Sequence, residues 1–71
     1  MTDSERLRFG NRVRHIRKEL GITQAELAAA TGIDRGYLAG VESGLRNPTL
    51  TIINRIAYGL NVSARELFEK S

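Results

Sequence analysis

The fold of this chain is decided by residues 22–44, which read Ile-Thr-Gln-Ala-Glu-Leu-Ala-Ala-Ala-Thr-Gly-Ile-Asp-Arg-Gly-Tyr-Leu-Ala-Gly-Val-Glu-Ser-Gly. Thr23 can cap a helix, because its hydroxyl can accept a backbone hydrogen bond while Glu26 reaches back to its backbone N–H. Gly32 follows that helix, where a tight turn needs a positive φ angle. Asp34 then caps a second short helix. The stretch therefore predicts two helices joined by a glycine turn.

Similar helix-start signals recur along the chain. The capping pairs and the single capping threonine are Thr2–Glu5, Thr23–Glu26, Ser63–Glu66 and Thr49. No segment alternates apolar and polar residues with the period of two that is typical of strands. The sequence therefore predicts an all-α fold in one domain, residues 1–71. Its five helices are expected over residues 4–20, 24–30, 35–43, 50–58 and 64–69.

The two central helices also carry the spacing of a helix-turn-helix, over residues 23–43. Ala28 is small where the helices should cross, Gly32 lies in the turn, and Leu38 and Val41 are three residues apart on one face. Such a series of a small residue, a glycine and two apolar residues is typical of this motif. An ordinary helical hairpin can produce the same four matches.

The third helix has an unusual exposed side. It begins with Arg35 and then presents a row of small residues, Gly36, Ala39 and Gly40. A helix that is basic at its start and nearly flat along one face is suited to the major groove of DNA. Each glycine costs about 1 kcal/mol relative to alanine in a helix, so we expect close approach to DNA, with DNA bending supplying part of the specificity. Close packing against a neighbouring helix is the alternative.

The charge of the chain is uneven. Eleven lysines and arginines oppose eight acidic residues, which gives a net charge of +3. Residues 1–18 alone hold six basic and two acidic residues, a local excess of +4. This pattern is compatible with a polyanionic partner and equally with a solvated helix face.

The sequence argues against several kinds of functional site and against a membrane or secreted location. Cysteine is absent, which excludes disulfides and thiolate zinc sites and fits a reducing compartment. No apolar run approaches the roughly 20 residues of a membrane span, and the N-terminus is unlike a signal peptide, so we expect a cytoplasmic protein. His15 stands without a second histidine nearby, so no metal site is predicted. We do not expect the protein to be an enzyme, and we expect it to bind no cofactor and no small-molecule ligand.

Residues 9–68 resemble the lambda-repressor/Cro-like (Xre) helix-turn-helix family. The resemblance is carried by residues 23–28, 32–34 and 42–48. Within that family the chain is similar to the controller proteins of restriction–modification systems, through residues 34–42 and the following Arg46-Asn47. The resemblance implies a five-helix domain that binds double-stranded DNA as a homodimer and regulates transcription, with control of a restriction–modification operon as the expected role.

The resemblance also implies roles for individual residues. The start of helix 3 reads bases, while the start of helix 2 and the loop after helix 3 contact phosphates. The expected base-reading residues are Arg35, Gly36, Tyr37 and Ala39, and the expected phosphate contacts are Thr23, Gln24, Ser43, Arg46 and Asn47. Four of these residues also have an alternative role without DNA. These alternatives are a solvated side chain for Arg35, a core residue for Tyr37, a helix former for Gln24 and a turn residue for Asn47. Gly36 departs from the family, where a larger or hydroxyl-bearing side chain is common, so this position offers no side-chain readout.

Helix 4 indicates a dimer. Its apolar stripe is wider than a small core requires, because Ile52 lies off the stripe formed by Leu50, Ile53, Ile56, Ala57 and Leu60. The dimerisation region is expected over residues 47–68, with an interface formed by Asn47, Leu50, Ile52, Ile53 and Phe68. A two-fold dimer would place its recognition helices about 34 Å apart. A broad core stripe is the alternative.

Two further partner hypotheses remain. Transcriptional activation would require a contact with RNA polymerase, for which exposed Glu26 or Asp34 are candidates. The rival function is that of an antitoxin or phage-type repressor whose main role is binding a protein partner.

Overall fold

The structure, a computed structural model, describes residues 1–69. It contains four α-helices and one 3₁₀ helix: α1 (Asp3–Glu19), α2 (Gln24–Thr31), α3 (Arg35–Glu42), α4 (Leu50–Leu60) and the 3₁₀ helix (Ala64–Phe68). No strand occurs among the described residues. The predicted all-α class is confirmed. The predicted domain also includes residues 70 and 71, which lie outside the described part of the chain.

Local capping explains where these helices begin. The hydroxyls of Thr2, Thr23 and Ser63 each accept a hydrogen bond from the backbone N–H three residues later, and the carboxylate of the glutamate at that position accepts one from the backbone N–H of the cap residue. Thr49 caps α4 in the same way, without the glutamate. At the start of α2, the hydrogen bonds from the Thr23 backbone and hydroxyl lower the pKa of Glu26. The capping predictions are confirmed.

The helices enclose one apolar core. α1 packs against α3 and the 3₁₀ helix, while α2 packs against α3 and α4. The buried apolar side chains are Phe9, Val13, Ile16, Leu27, Ala28, Ile33, Leu38, Val41, Ile53, Ile56, Ala57, Leu60 and Leu67. The core therefore receives side chains from every helix and holds α3 by its buried face.

The central helix pair has the predicted geometry. Ala28, Leu38 and Val41 are buried where α2 and α3 meet. Gly32 adopts a φ of +71° at the end of α2, and Gly44 a φ of +81° shortly after α3. Side chains rarely tolerate this left-handed region, so both turns depend on glycine. The helix-turn-helix prediction is confirmed.

The fifth helix and the end of the fourth differ from prediction. Residues 64–68 form a 3₁₀ helix that ends where the backbone becomes extended at Glu69, with a ψ of 151°, and the Glu69 N–H donates to the Glu66 carbonyl three residues earlier. A capping box marks a helix start without specifying its hydrogen-bond register. α4 continues through Gly59 to Leu60 and ends at Asn61, whose φ is 57°.

One close helix crossing was not predicted. Gly10 is buried, and a Cβ built on it would lie 2.5 Å from the carbonyl oxygen of Glu42. Because the obstructing atoms belong to the backbone of α3, the two helices can approach this closely only with glycine at position 10. Gly10 therefore fixes the distance between α1 and α3.

Among residues 1–69, no helix combines the length and apolar character that a membrane crossing requires.

Candidate nucleic-acid interface

One exposed face of α3 carries most of the predicted base-reading residues. Successive residues of an α-helix are about 100° apart, which places Arg35, Gly36, Ala39 and Ser43 opposite the buried side chains of Leu38 and Val41. Arg35 and Gly36 are exposed and Ala39 is half-buried. The helix has eight residues, and an α-helix with its side chains is about 10–12 Å in diameter, which fits a major groove about 12 Å wide.

Tyr37 stands at the edge of this face. It is half-buried and packs against the core, while its backbone N–H donates to the Asp34 carboxylate at 3.0 Å. Its ring therefore has a structural contact as well as an exposed part, so the two roles considered from the sequence are both compatible with its position.

A buried ion pair fixes α3 to α1. Arg17 Nε donates to Glu42 Oε2 at 2.8 Å, and Arg17 Nη2 donates to Glu42 Oε1 at 3.0 Å. Their side chains are 10% and 3% exposed. The hydrogen bonds to Glu42 raise the pKa of Arg17. Two parallel hydrogen bonds of this kind are both strong and directional, so the pair restrains the orientation of α3.

Gln24 joins the same network. Its Nε2 donates to Glu42 Oε1 at 3.2 Å, and Arg17 Nη1 donates to the carbonyl of Ile22 at 3.0 Å. The start of α2 is thereby tied to α1 and α3. The half-buried Gln24 retains a second amide N–H, and this donor is available to a phosphate.

The other predicted phosphate contacts have different local bonds. The Thr23 hydroxyl is the cap of α2, and the Ser43 hydroxyl donates to the Gly40 carbonyl at 3.1 Å. Asn47 is exposed, and its Oδ1 lies 3.5 Å from the N-terminal ammonium of Met1. Thr23 lies at the start of α2, Ser43 at the end of α3 and Asn47 in the loop between α3 and α4. A phosphate would have to compete for the Ser43 hydroxyl.

The basic residues of α1 divide into two groups. Arg6 Nε donates to the Gly44 carbonyl and Arg12 Nε to the Glu66 carbonyl, each at 3.1 Å, and Arg17 is buried in its ion pair. The exposed basic residues are Arg8, Arg14 and Lys18. The charge excess of this segment is therefore divided between internal contacts, which the sequence did not indicate, and an exposed basic surface, which is compatible with a polyanionic partner and equally with a solvated helix face.

Two exposed basic residues of α1 lie beside α3. Arg14 and Lys18 line a shallow groove of about 290 Å³ together with Gln24, Ala39 and Ser43. This groove joins the exposed face of α3 to the start of α2 and to the basic side of α1. The sequence indicated only a basic segment, because the contact between α1 and α3 that selects these two residues is not local.

The predicted interface residues are not equally available. Leu50 and Phe68 are 72% and 56% exposed, and Asn47 is also exposed. Ile53 is 6% exposed and belongs to the core of the protomer, on the same face of α4 as Ile56, so it offers little surface to a partner. Ile52 is half-buried and packs against the core. It lies about 200° around the helix axis from Leu50.

The residues that sequence reasoning missed form contacts between distant segments. Arg17 follows buried Ile16, and Glu42 follows buried Val41. Charged residues of opposite sign at the margins of two apolar helix faces are the signal that could have revealed this pair.

In residues 1–69, no three acidic, histidine or cysteine side chains come close enough to hold a metal ion.

Known proteins are similar to this chain in sequence and in fold. The Helix-turn-helix family model, HTH_3, matches residues 13–67. The control protein C.MunI of Mycoplasma sp is 38% identical over 64 residues, which are 89% of this chain and 86% of that protein. The crystal structure of the restriction–modification controller protein C.AhdI from Aeromonas hydrophila superimposes with a TM-score of 0.90. It is 42% identical and covers 92% of this chain and 98% of its own.

A structure with bound DNA is also similar. The master regulator for biofilm formation SinR, solved in complex with DNA, superimposes with a TM-score of 0.81 and 32% identity, covering 86% of this chain and 98% of its own. The fold, the exposed face of α3 and these similarities agree with the resemblance drawn from the motifs. The chain belongs to the Xre-like helix-turn-helix family of DNA-binding transcriptional regulators, which are not enzymes, and restriction–modification controller proteins are among its relatives.

Proposed function

We propose that this protein is a transcriptional regulator that binds a two-fold-symmetric DNA operator as a homodimer and controls a restriction–modification operon. The observation that carries the proposal is the exposed face of α3, with Arg35 at its start and small residues along it. Gln24, Arg14 and Lys18 flank that face on one side. A groove-sized helix bordered by donors for phosphate is the arrangement that major-groove recognition requires.

The proposed roles follow the sequence expectations. Arg35 leads base readout, with Gly36, Tyr37 and Ala39 shaping the surface that faces the base edges. Phosphates are held by Gln24, Ser43, Arg46 and Asn47, with Thr23 at the start of α2 and with Arg14 and Lys18 added from α1. Most protein–DNA hydrogen bonds go to the backbone, so few direct base contacts and a contribution from DNA deformability are consistent with this surface.

The experiment that tests the function is selection of binding sites from a randomised duplex pool at about 0.15 M salt, where non-specific phosphate binding is already weakened. A consensus with two symmetric half-sites about 34 Å apart would support the dimeric regulator. Its occurrence upstream of a restriction–modification operon in the source genome would support the assigned target. Salt-sensitive binding without a consensus would reject the proposal and favour a protein partner.

Replacing Arg35 with alanine is expected to lower affinity for the selected operator by about 1–3 kcal/mol per half-site and to relax the preference for one guanine. The reason is that an arginine can make two hydrogen bonds to guanine that no other base offers. The measurement is repeated selection and titration with the variant. Arg55→Ala, at an exposed arginine of α4, is the matched control, and an unchanged consensus for Arg35→Ala would contradict the assignment.

The proposed dimer surface includes side chains that lie near Met1. Met1 connects its parts, since its ammonium lies near Asn47 and its side chain lines a cavity with Phe68. The Phe68 ring packs on Phe9 with ring centroids 5.1 Å apart, which leaves its other face outward. Leu50 has the highest exposed fraction among the apolar side chains of this surface, at 72%. Ile52 lies about 200° around α4 from Leu50, so it would meet the partner only if the interface extends across that helix.

Replacing Leu50 with glutamate is expected to weaken the dimer at least about tenfold without unfolding the protomer. Two-fold symmetry introduces the charge twice into one interface, while Leu50 is 72% exposed in the protomer. Sedimentation equilibrium measures the dissociation constant. Tyr58→Glu places the same charge on the same helix at a residue that is 85% exposed. If the Leu50→Glu variant dimerises as well as this control, the dimer interface does not include Leu50.

A further inference from the structure

Gly40 has two contacts with the loop that follows α3. Its carbonyl oxygen accepts hydrogen bonds from the backbone N–H groups of Leu45, at 2.8 Å, and Arg46, at 3.1 Å. The Ser43 hydroxyl donates to the same oxygen at 3.1 Å. Three donors thus converge on one carbonyl, so the backbone of the loop is anchored to the last turns of α3.

The second contact is between Gly40 and the side chain of Arg46, and it is possible because Gly40 has no side chain. A Cβ built on Gly40 would lie 2.6 Å from Arg46 Cγ and 3.6 Å from both Arg46 Cβ and Cδ. The aliphatic stem of Arg46 therefore occupies the space that any other residue at position 40 would fill. By contrast, a Cβ on Gly36 would meet only the Asp34 carboxylate, at 3.2 Å. The two glycines of α3 thus have different surroundings.

We propose that Gly40 is a positioning residue that seats Arg46 against α3, so that the guanidinium reaches DNA from the surface of the recognition helix. This inference rests on the proposed function and assigns Gly40 a different task from the groove contact expected from the sequence. An arginine held by its stem loses less conformational freedom when it binds a phosphate than one on a free loop. Gly40 then affects affinity through Arg46 and has no contact with DNA of its own.

The test is a double-mutant cycle on binding to the selected operator, with wild type, Gly40→Ala, Arg46→Ala and the double variant. Arg46→Ala is expected to weaken binding by about tenfold or more, since it removes a charged contact. Gly40→Ala is expected to weaken binding about fivefold while Arg46 is present, the order expected for freeing one long side chain. In the Arg46→Ala background, the same glycine substitution should change the dissociation constant less than about twofold.

Two results would overturn the proposal. An equal loss from Gly40→Ala in both backgrounds would mean that Gly40 itself approaches DNA, and no loss in either would mean that the seat is irrelevant. If the wild-type protein selects no operator, the proposed function fails, whereas a wild type that binds normally beside an unaffected Gly40→Ala variant rejects this inference alone.

Folding is checked separately. Gly40→Ala is expected to melt no lower than wild type, because alanine favours the helix and the exposed Arg46 side chain can turn away. Should the variant fail to fold, the unmodified protein still provides a test. Nuclear Overhauser contacts between the Gly40 Hα and Arg46 Hγ protons are expected in the free protein, and their absence would reject the seat.

Discussion

Replacing Glu42 with alanine is expected to lower the free energy of unfolding by about 3–5 kcal/mol, because it leaves the charge of Arg17 buried without its partner. The Arg17 side chain is 10% exposed and donates twice to Glu42. A domain of 71 residues has a total stability of about 4–11 kcal/mol at the usual value per residue. Thermal unfolding followed by circular dichroism should show Tm falling by about 12 °C or more.

Two controls separate the buried pair from a general loss of charge. Glu19→Ala removes a carboxylate from the exposed pair with His15, whose side chains are 53% and 63% exposed, and should change stability by less than about 1 kcal/mol. The double variant Arg17→Met with Glu42→Leu removes both charges and should recover most of the loss. A Glu42→Ala protein as stable as the Glu19→Ala control would show that the pair does not hold α3.

Replacing Gly10 with alanine is expected to lower stability by about 2–3 kcal/mol, although alanine is the better helix former by about 1 kcal/mol. The added methyl group would lie 2.5 Å from the Glu42 carbonyl oxygen. Because that atom belongs to the backbone of a packed helix, α1 and α3 must separate. Urea unfolding measures the loss, which should appear in the midpoint and leave the slope unchanged.

Gly36→Ala is the matched control for this substitution. It adds the same methyl group to a helix, where a Cβ would meet only the Asp34 carboxylate at 3.2 Å. We expect this control to change stability by less than about 1 kcal/mol, because the helix propensity of alanine offsets a small shift of the Asp34 carboxylate that caps α3, so that the two variants differ by about 2 kcal/mol or more. Equal stabilities would mean that α1 and α3 can move apart freely, and would remove Gly10 as the determinant of their distance.

The arrangement of the binding surface follows from these two contacts. Gly10 sets how closely α3 lies against α1, and the Arg17–Glu42 pair sets its orientation. The exposed basic residues Arg14 and Lys18 of α1 are brought beside α3 as a result. On the proposed function, we therefore expect variants that loosen the contact between α1 and α3 to lose operator affinity as well as stability.

The sequence was sufficient for features that depend on neighbouring residues. The capping boxes at Thr2, Thr23 and Ser63, the cap at Asp34 and the glycine turn at Gly32 were all predicted. Each involves hydrogen bonds or dihedral angles within about four residues, so residue type and spacing determine them. The helix-turn-helix and the exposed basic start of α3 follow from the same local signals.

Contacts between distant segments required the tertiary structure. Arg17 and Glu42 are 25 residues apart, and no local pattern specifies the distance between them. The same limit applies to Ile53, because an apolar helix stripe does not show which of its residues the rest of the protomer covers. The local sequence determined the starts of the helices, the glycine turn and the recognition motif. Packing decided which charges are buried and which apolar residues remain exposed. It also decided that a neighbouring side chain occupies the space beside Gly40. Each of these depends on atoms of distant residues that only the fold brings together.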